Sequence, residues 1–266
     1  MTNLAGEIDL HVHTFHSYCA SPQMTLEAIA KKAMETGLSV VGLADHFWLD
    51  RDRGCRPAVA HILLTRNELV SRQGPVRFLL GAESDCSPSR GAAGGEELSQ
   101  LDYAVGSYHF AEVRENEAPM PLTADALGIM LAEGFRSIVE APHIRVAGHP
   151  LHIPRRIYRA MNDSIRTNLA GVYRTAIDSA LPHLKTAARR GVAIEMNVRA
   201  LFPRIRPAMF SFYAAALKAG CQFSLTCDAH RPGEMDARVD LAAYADELGL
   251  SSSDFLNTDT FSPRVK

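Results

Sequence analysis

Between Val192 and His230 the chain reads VAIEMNVRALFPRIRPAMFSFYAAALKAGCQFSLTCDAH. Two short apolar runs of strand character, VAIEM and QFSLT, flank a helical pattern from about Met209 to Ala219. Strands joined through a helix lie parallel in one sheet, connected by a right-handed crossover. Each run also ends in residues that can do chemistry, Glu195 and Asn197 after the first and Asp228 and His230 after the second. The unit therefore predicts an α/β fold whose functional groups collect at the carboxyl ends of parallel strands.

The same alternation extends in both directions. A strand is expected over Glu7–Val12, then a helix from about Leu26 to Thr36 with Leu26, Ile29, Ala30 and Ala33 on one face, Thr25 capping its start and Gly37 its end. Strands follow at Ser39–Ala44, Val76–Ala82, Asp102–Tyr108 and Arg145–Gly148, with helical patterns near Val59–Ser71, through Leu127, Met130, Leu131 and Phe135, and over Ser164–Arg190 with an interruption near Pro182. Beyond the opening unit come a helix near Val239–Leu248 and a weak eighth strand candidate, DFLN. There is no repeat, and 266 residues suit one domain spanning 1–266, an α/β barrel of TIM-like kind.

Composition narrows the function. With 47% hydrophobic and 22% charged residues, and no apolar run near the roughly 20 residues that cross a bilayer, a soluble protein without a membrane partner is expected. The start, MTNLAGEIDLHVH, has no basic segment followed by an apolar one, so a cytoplasmic location is expected. Five cysteines without a CxxC pair argue against a disulfide framework and a Cys-only zinc site. A net charge of −2 gives no global attraction to nucleic acid, which is not expected as a partner.

Placed on the strand map, the ionisable residues form a pattern. His11 and His13 close the first strand, Asp45 and His46 follow the second, Glu83 and Asp85 the third, His109 ends the fourth and His149 the fifth. In a parallel barrel these ends share one rim. Alternate residues of a strand face one way, so HVH can grip one ion with two imidazoles, and DAH repeats the arrangement. Mixed nitrogen and oxygen donors suit zinc, manganese or iron, and a carboxylate such as Glu83 can bridge two cations that activate a water for hydrolysis. One HxH is weak evidence; acids or histidines at seven successive strand ends are strong evidence. His61 in a helical pattern, His143, and His183 beside Pro182 take a structural reading, whereas His16 and His152, near the rim but off the strand ends, suit substrate contact.

In DLHVHT (Asp9–Thr14), GLADH (Gly42–His46), LGAES (Leu80–Ser84), VGSYHF (Val105–Phe110), AGHP (Ala147–Pro150), AIEMN (Ala193–Asn197) and TCDAH (Thr226–His230) the sequence resembles the PHP family, the polymerase and histidinol phosphatase superfamily, over nearly its whole length. The resemblance implies a distorted (β/α)7 barrel with two or three divalent metal ions. It implies that His11, His13, Glu83 and Asp228 bind the first, that Glu83 bridges to a second held by His109 and His149, and that His46 and His230 hold a third. The family completes the third site with a His or Asp shortly after HxH, where this chain has Cys19; a Cys19 thiolate, His16 from another spacing, or a two-ion site are the alternatives. Glu83, Asp228 and His109 are then the residues expected to carry catalysis, with Glu195 and Asn197 in supporting or substrate roles.

A cationic rim suits an anionic substrate, and Arg199, Arg204 and Arg206 follow the sixth strand, where a guanidinium can hold a phosphate bidentately. Arg155 and Arg156 are weaker candidates. The expected activity is that of a phosphomonoesterase resembling the histidinol phosphatase branch, with a hydroxide bridging the metals as nucleophile and a small phosphorylated substrate. Two alternatives are a phosphodiesterase or exonuclease acting on nucleotides or DNA ends and a non-catalytic metal-binding module. An amidohydrolase-like barrel also opens with HxH, but it would bridge its metals with a lysine, and no lysine stands at these strand ends.

Overall fold

Aliphatic runs become parallel strands. In the computed structural model, which describes residues 7–49, 64–69, 74–110 and 123–261, β1 (Ile8–Val12), β2 (Val40–Leu43) and β4 (Arg77–Leu80) form one sheet in the order β1-β2-β4. A second sheet comprises β3 (His46–Phe47), β5 (Glu83–Ser87), β7 (Val105–Ser107), β8 (Val146–Ala147), β9 (Ala193–Asn197) and β10 (Phe223–Thr226), in the order β10-β9-β8-β7-β5-β3. The short β6 (Gly91–Ala92) pairs antiparallel with β5, and every other pairing between named strands is parallel.

The two sheets are halves of one ring. Only Ala44 and Asp45 separate β2 from β3, and only Gly81 and Ala82 separate β4 from β5, so each pair is one bent strand shared by both sheets. Closure comes at β10 and β1, where Val12 and Ala229 form a parallel bridge and the His13 N–H donates to the Ala229 carbonyl at 3.0 Å. Seven strand positions thus enclose one interior, a distorted (β/α)7 barrel. Helices Leu26–Glu35, Ala124–Glu140, Leu169–Arg190, Arg206–Lys218 and Arg238–Glu247 lie in the connections after β1, β7, β8, β9 and β10. Between β5 and β7 there is no α-helix, only β6 and a 3-10 turn at Gly95–Gln100, and this is one source of the distortion.

The lower interior is apolar. Tyr103 fills it with Leu10, Val40, Leu79, Val105, Val146 and Ala193, and its hydroxyl donates to the Leu10 carbonyl at 2.7 Å. A Cβ on Gly42 or Gly81 would fall 2.3 or 2.4 Å from Tyr103 atoms, so the ring fits because both positions are glycine. The histidines and carboxylates of the rim lie beyond this plug, at the carboxyl ends of the strands.

Several expectations need correction. Pro182 does not interrupt its helix, which runs unbroken over Leu169–Arg190; the break falls at Asn168, whose side chain caps the new helix by accepting from the Gly171 N–H at 3.2 Å. The buried face of Ala176, Ala180, Leu184 and Ala187 continues across the proline, and such packing offsets the hydrogen bond that proline removes. DFLN makes no eighth strand, only a single bridge from Phe255 to Phe223. The helix expected near Val59–Ser71 lies largely outside the described residues, of which 64–69 are helical. Among the described residues no helix is long and apolar enough to cross a membrane.

Candidate metal centre

Glu83 opens β5 and pairs in register with His46 of β3 and Val105 of β7, which carries its carboxylate to the middle of the rim. Five imidazoles surround it. Oε2 lies 2.7 Å from His46 Nδ1, 3.5 Å from His11 Nε2 and 3.6 Å from His13 Nε2, while Oε1 lies 2.9 Å from His149 Nε2 and 3.4 Å from His109 Nε2. Asp228 enters beside them, its Oδ1 3.1 Å from His13 Nε2 and 3.6 Å from His11 Nε2, and His230 stacks on His13 with ring centroids 4.1 Å apart. Two of these residues hold backbones that side chains rarely adopt, His149 at φ 23° and Asp228 at φ 52°. Strain of that kind persists where the surroundings over-determine it, and it collects at functional sites.

Behind the histidines a second layer fixes which nitrogen faces inward. Nδ1 of His11 donates to Glu195 Oε1 at 2.8 Å, which turns Nε2 toward Glu83 and Asp228. Glu195 is itself held by the Thr226 hydroxyl and the His149 N–H. Nδ1 of His13 lies 3.1 Å from Ser17 Oγ, whose hydroxyl donates to Asp45 at 2.5 Å; Asp45 also accepts from the Thr14 N–H and hydroxyl. Nδ1 of His109 lies 3.3 Å from Asp85. Such outer carboxylates set the tautomer and raise the basicity of a metal-binding imidazole.

The electrostatics of these groups suit cations. Burial alone would raise the Glu83 carboxyl, yet the charges of His46, His11 and His109 outweigh it and hold the group well below the usual carboxylate range. Burial is likewise overcome at Asp228, chiefly by Arg199 and His11. Burial opposes charge on His109 too, but Glu83 and Asp85 raise it to about 9, whereas burial and the neighbouring His230 and His46 push His13 well below its ordinary value. His11 Nε2 and His46 Nδ1 lie 3.5 and 2.7 Å from Glu83 Oε2, yet none of these three buried atoms makes an aligned hydrogen bond. Buried polar atoms seldom go unsatisfied, and a cation is the partner that acceptors facing one another lack. Three donor groups, each with its ligand atoms within 4.8 Å of one another, have the chemistry for zinc, manganese or iron: His11, His13 and Asp228; His46, Glu83 and His109; and His13, His46 and His230. These residues fit divalent metal.

The centre floors a cavity of about 870 Å³. Arg199 lines it, pairing with Asp228 Oδ2, and Arg204 lines it from an exposed position. Arg206 is placed elsewhere: it pairs with Glu247, lies 4.8 Å from the centroid of Tyr244, and is not among the described residues lining the cavity. Cys19 is exposed at the lining and belongs to none of the three donor groups. His16 packs on Phe15 with centroids 4.2 Å apart and does not line the cavity, while His152 does. Glu195 sits behind His11, and buried Asn197 accepts the Arg199 N–H at 3.0 Å. Arg156 is spent on the carbonyls of His109 and Phe110, and Arg155 lines the cavity. His61 lies outside the described residues.

Sequence reading passed over Ser17, the supporting roles of Asp45 and Asp85, and Trp48, whose ring lies 4.4 Å from His46 and 4.9 Å from His109. The adjacency of Asp45 to His46, and of Asp85 to Glu83 two residues away, was an available signal for two of them. No comparable signal pointed to the apolar lining from Ile153, Tyr158, Leu169, Tyr173, Phe202 and Ile205.

The PHP domain model matches residues 9–199. Among solved structures, the histidinol phosphate phosphatase of Lactococcus lactis, complexed with zinc, L-histidinol and phosphate, superposes with a TM-score of 0.71 at 13% identity, covering 95% of this chain and 99% of that one. A Listeria monocytogenes protein assigned as a histidinol phosphatase gives a TM-score of 0.60 at 15% identity, over 86% of this chain and 97% of that one. At these identities the likeness is one of fold. No curated protein matches the chain in sequence.

Proposed function

Because the chain belongs to the PHP domain family, we propose that its metal centre is that of a phosphoesterase and that it hydrolyses a small phosphate monoester. The observation that carries this reading is the convergence of five histidines on the buried Glu83 carboxylate, with Asp228 and Arg199 beside them, at the floor of a cavity large enough for an organic ester.

His11, His13, Glu83 and Asp228 would hold one ion, Glu83 with His109 and His149 a second, and His46 with His230, beside His13, a third. When bound, such ions supply a water of lowered pKa and neutralise charge on phosphoryl oxygens. The chain does the rest. Glu195, Ser17 with Asp45, and Asp85 keep the ligand nitrogens of His11, His13 and His109 aimed inward. Arg199 presents a guanidinium at the floor, suited to the non-bridging oxygens on which charge grows during transfer. His152, lowered well below its usual range by burial and by Arg199, lines the cavity as a neutral hydrogen-bonding group. No side-chain nucleophile is needed.

The test compares 4-nitrophenyl phosphate with bis(4-nitrophenyl) phosphate, using protein of measured metal content. Faster turnover of the monoester, abolished by chelation and restored by zinc, manganese or ferrous iron, is the expected result. Preference for the diester overturns the monoester reading, and undiminished turnover by metal-stripped protein overturns the metal-dependent one.

A further inference from the structure

Charge is distributed unevenly within the cavity. Glu83 and Asp228 are the only acids among the described residues lining it, and both belong to the metal centre. Above them the wall is apolar and partly aromatic, formed by residues such as Tyr158, Leu169, Tyr173 and Phe202. Arg155 and Arg204 join it as exposed side chains, and no ion pair holds either one among the described residues. Arg199 adds a third guanidinium nearer the floor.

A phosphate alone occupies a small part of 870 Å³, a volume in the range of pockets that enclose whole organic ligands. The remaining space therefore has to suit the alcohol portion of the ester. Its walls favour flat or branched apolar matter. An ammonium group would find aromatic faces, which attract cations, but also three guanidinium groups and, among the described lining residues, no acid that is not already committed to the centre. A carboxylate or second phosphate would find the reverse, two cations whose donors are open to it.

We infer that the alcohol released by this enzyme is an apolar, ring-sized group carrying a second anionic substituent, and that alcohols bearing an ammonium group are selected against. The reacting group rests on the phosphatase reading; the character of the remainder rests on the wall. In the reaction the bond from phosphorus to the ester oxygen breaks, a bond from phosphorus to a water oxygen forms, and a proton from that water ends on the departing alcohol.

Three esters matched in size test this: benzyl phosphate, 4-carboxybenzyl phosphate and 4-(aminomethyl)benzyl phosphate. Two measurements are made on metal-loaded protein. One is kcat/KM for phosphate release. The other is binding of the corresponding non-hydrolysable phosphonates, followed by the fluorescence of Trp48, the only tryptophan of the chain and part of the cavity lining. Exposed charge pairs are individually weak, so the carboxylate should be preferred over the ammonium by about 10-fold at low salt, a ratio that shrinks as salt screens it. In the double variant Arg155→Gln, Arg204→Gln the ratio should fall close to one. Because it is a ratio within one preparation, loss of folded protein cancels. Preference for the ammonium, a ratio unchanged in the double variant, or no saturable fluorescence change with any phosphonate overturns the inference. Binding in the expected order without hydrolysis of any ester sinks the phosphatase reading and leaves this one standing, and hydrolysis without the order does the opposite.

Discussion

The floor and the wall of the cavity belong to the same barrel but come from different parts of it. On the floor each group sits at or just past a strand end: His11 and His13 at β1, His46 in β3, Glu83 in β5, His109 after β7, His149 after β8 and Asp228 after β10. Parallel register fixes their heights, and buried partners fix their rotamers. The wall is supplied by the helices and connections after β8 and β9, where Phe202 is 60% exposed and Arg155 and Arg204 are exposed too. A sheet gives precision and a connection gives latitude. The floor should therefore govern metal content and turnover, and the wall should govern which ester is accepted.

The largest expected effect is at the centre of the floor. Glu83→Gln keeps the size of the side chain but removes the charge on which five imidazoles converge. If two ions depend on it, activity should fall on the order of 1000-fold or more, the equivalent of the several kcal/mol that metal activation supplies. Metal content, read by elemental analysis, should fall with it. A variant with full metal and nearly full activity would mean that the bridge lies elsewhere.

Next comes the layer behind. Glu195→Gln leaves the ligands in place but weakens the hold on His11, on Thr226 and on the His149 N–H, and the expected loss is 10- to 100-fold, typical of outer groups. A loss as great as that of Glu83→Gln would promote Glu195 to a ligand. The wall should respond less and differently: Phe202→Ala removes a half-exposed apolar surface, so KM for an aromatic ester should rise a few-fold with kcat nearly unchanged, as expected for contacts made equally in the ground and transition states. A fall in kcat with constant KM would place Phe202 in the chemistry instead.

This contrast also explains what could be read from the sequence. HVH sends two imidazoles inward from the end of β1, DAH carries Asp228 and His230 just past β10 into two different donor groups, and the spacing of strands by helices announces a parallel rim, so the convergence of these side chains was legible in the sequence. Glu83 was legible as a rim carboxylate but not as part of a strand, because the bend at Gly81 and Ala82 between β4 and β5 sits against Tyr103, a contact across 22 residues that no local pattern announces. Ser17 finds His13 through a turn that has no periodic signature. The wall was hidden for another reason: Leu169 and Tyr173 fall within an ordinary helical pattern, and nothing local tells a residue facing a cavity from one facing a core. The same blindness put Arg206 beside Arg204, although the start of its helix turns it to Glu247 and Tyr244.

The smallest effect is expected where floor meets wall, at Cys19. It lies at the lining near His46 and His230, and a thiolate would complete an N,N,S set that favours zinc or ferrous iron over manganese. Two observations weigh against that role. Cys19 is exposed, and the donor group containing His46 and His230 is already completed by His13, whose imidazole is kept neutral by burial and by its histidine neighbours. A neutral imidazole is ready to ligate without releasing a proton, whereas a thiol must first give one up. Cys19→Ala should therefore leave metal stoichiometry unchanged and alter kcat/KM by no more than a few-fold, while His13→Ala lowers the metal content. Elemental analysis of both variants, confirmed as folded by circular dichroism, separates the possibilities. Loss of one equivalent in Cys19→Ala would restore the thiolate as a ligand and move the boundary between floor and wall outward to include it.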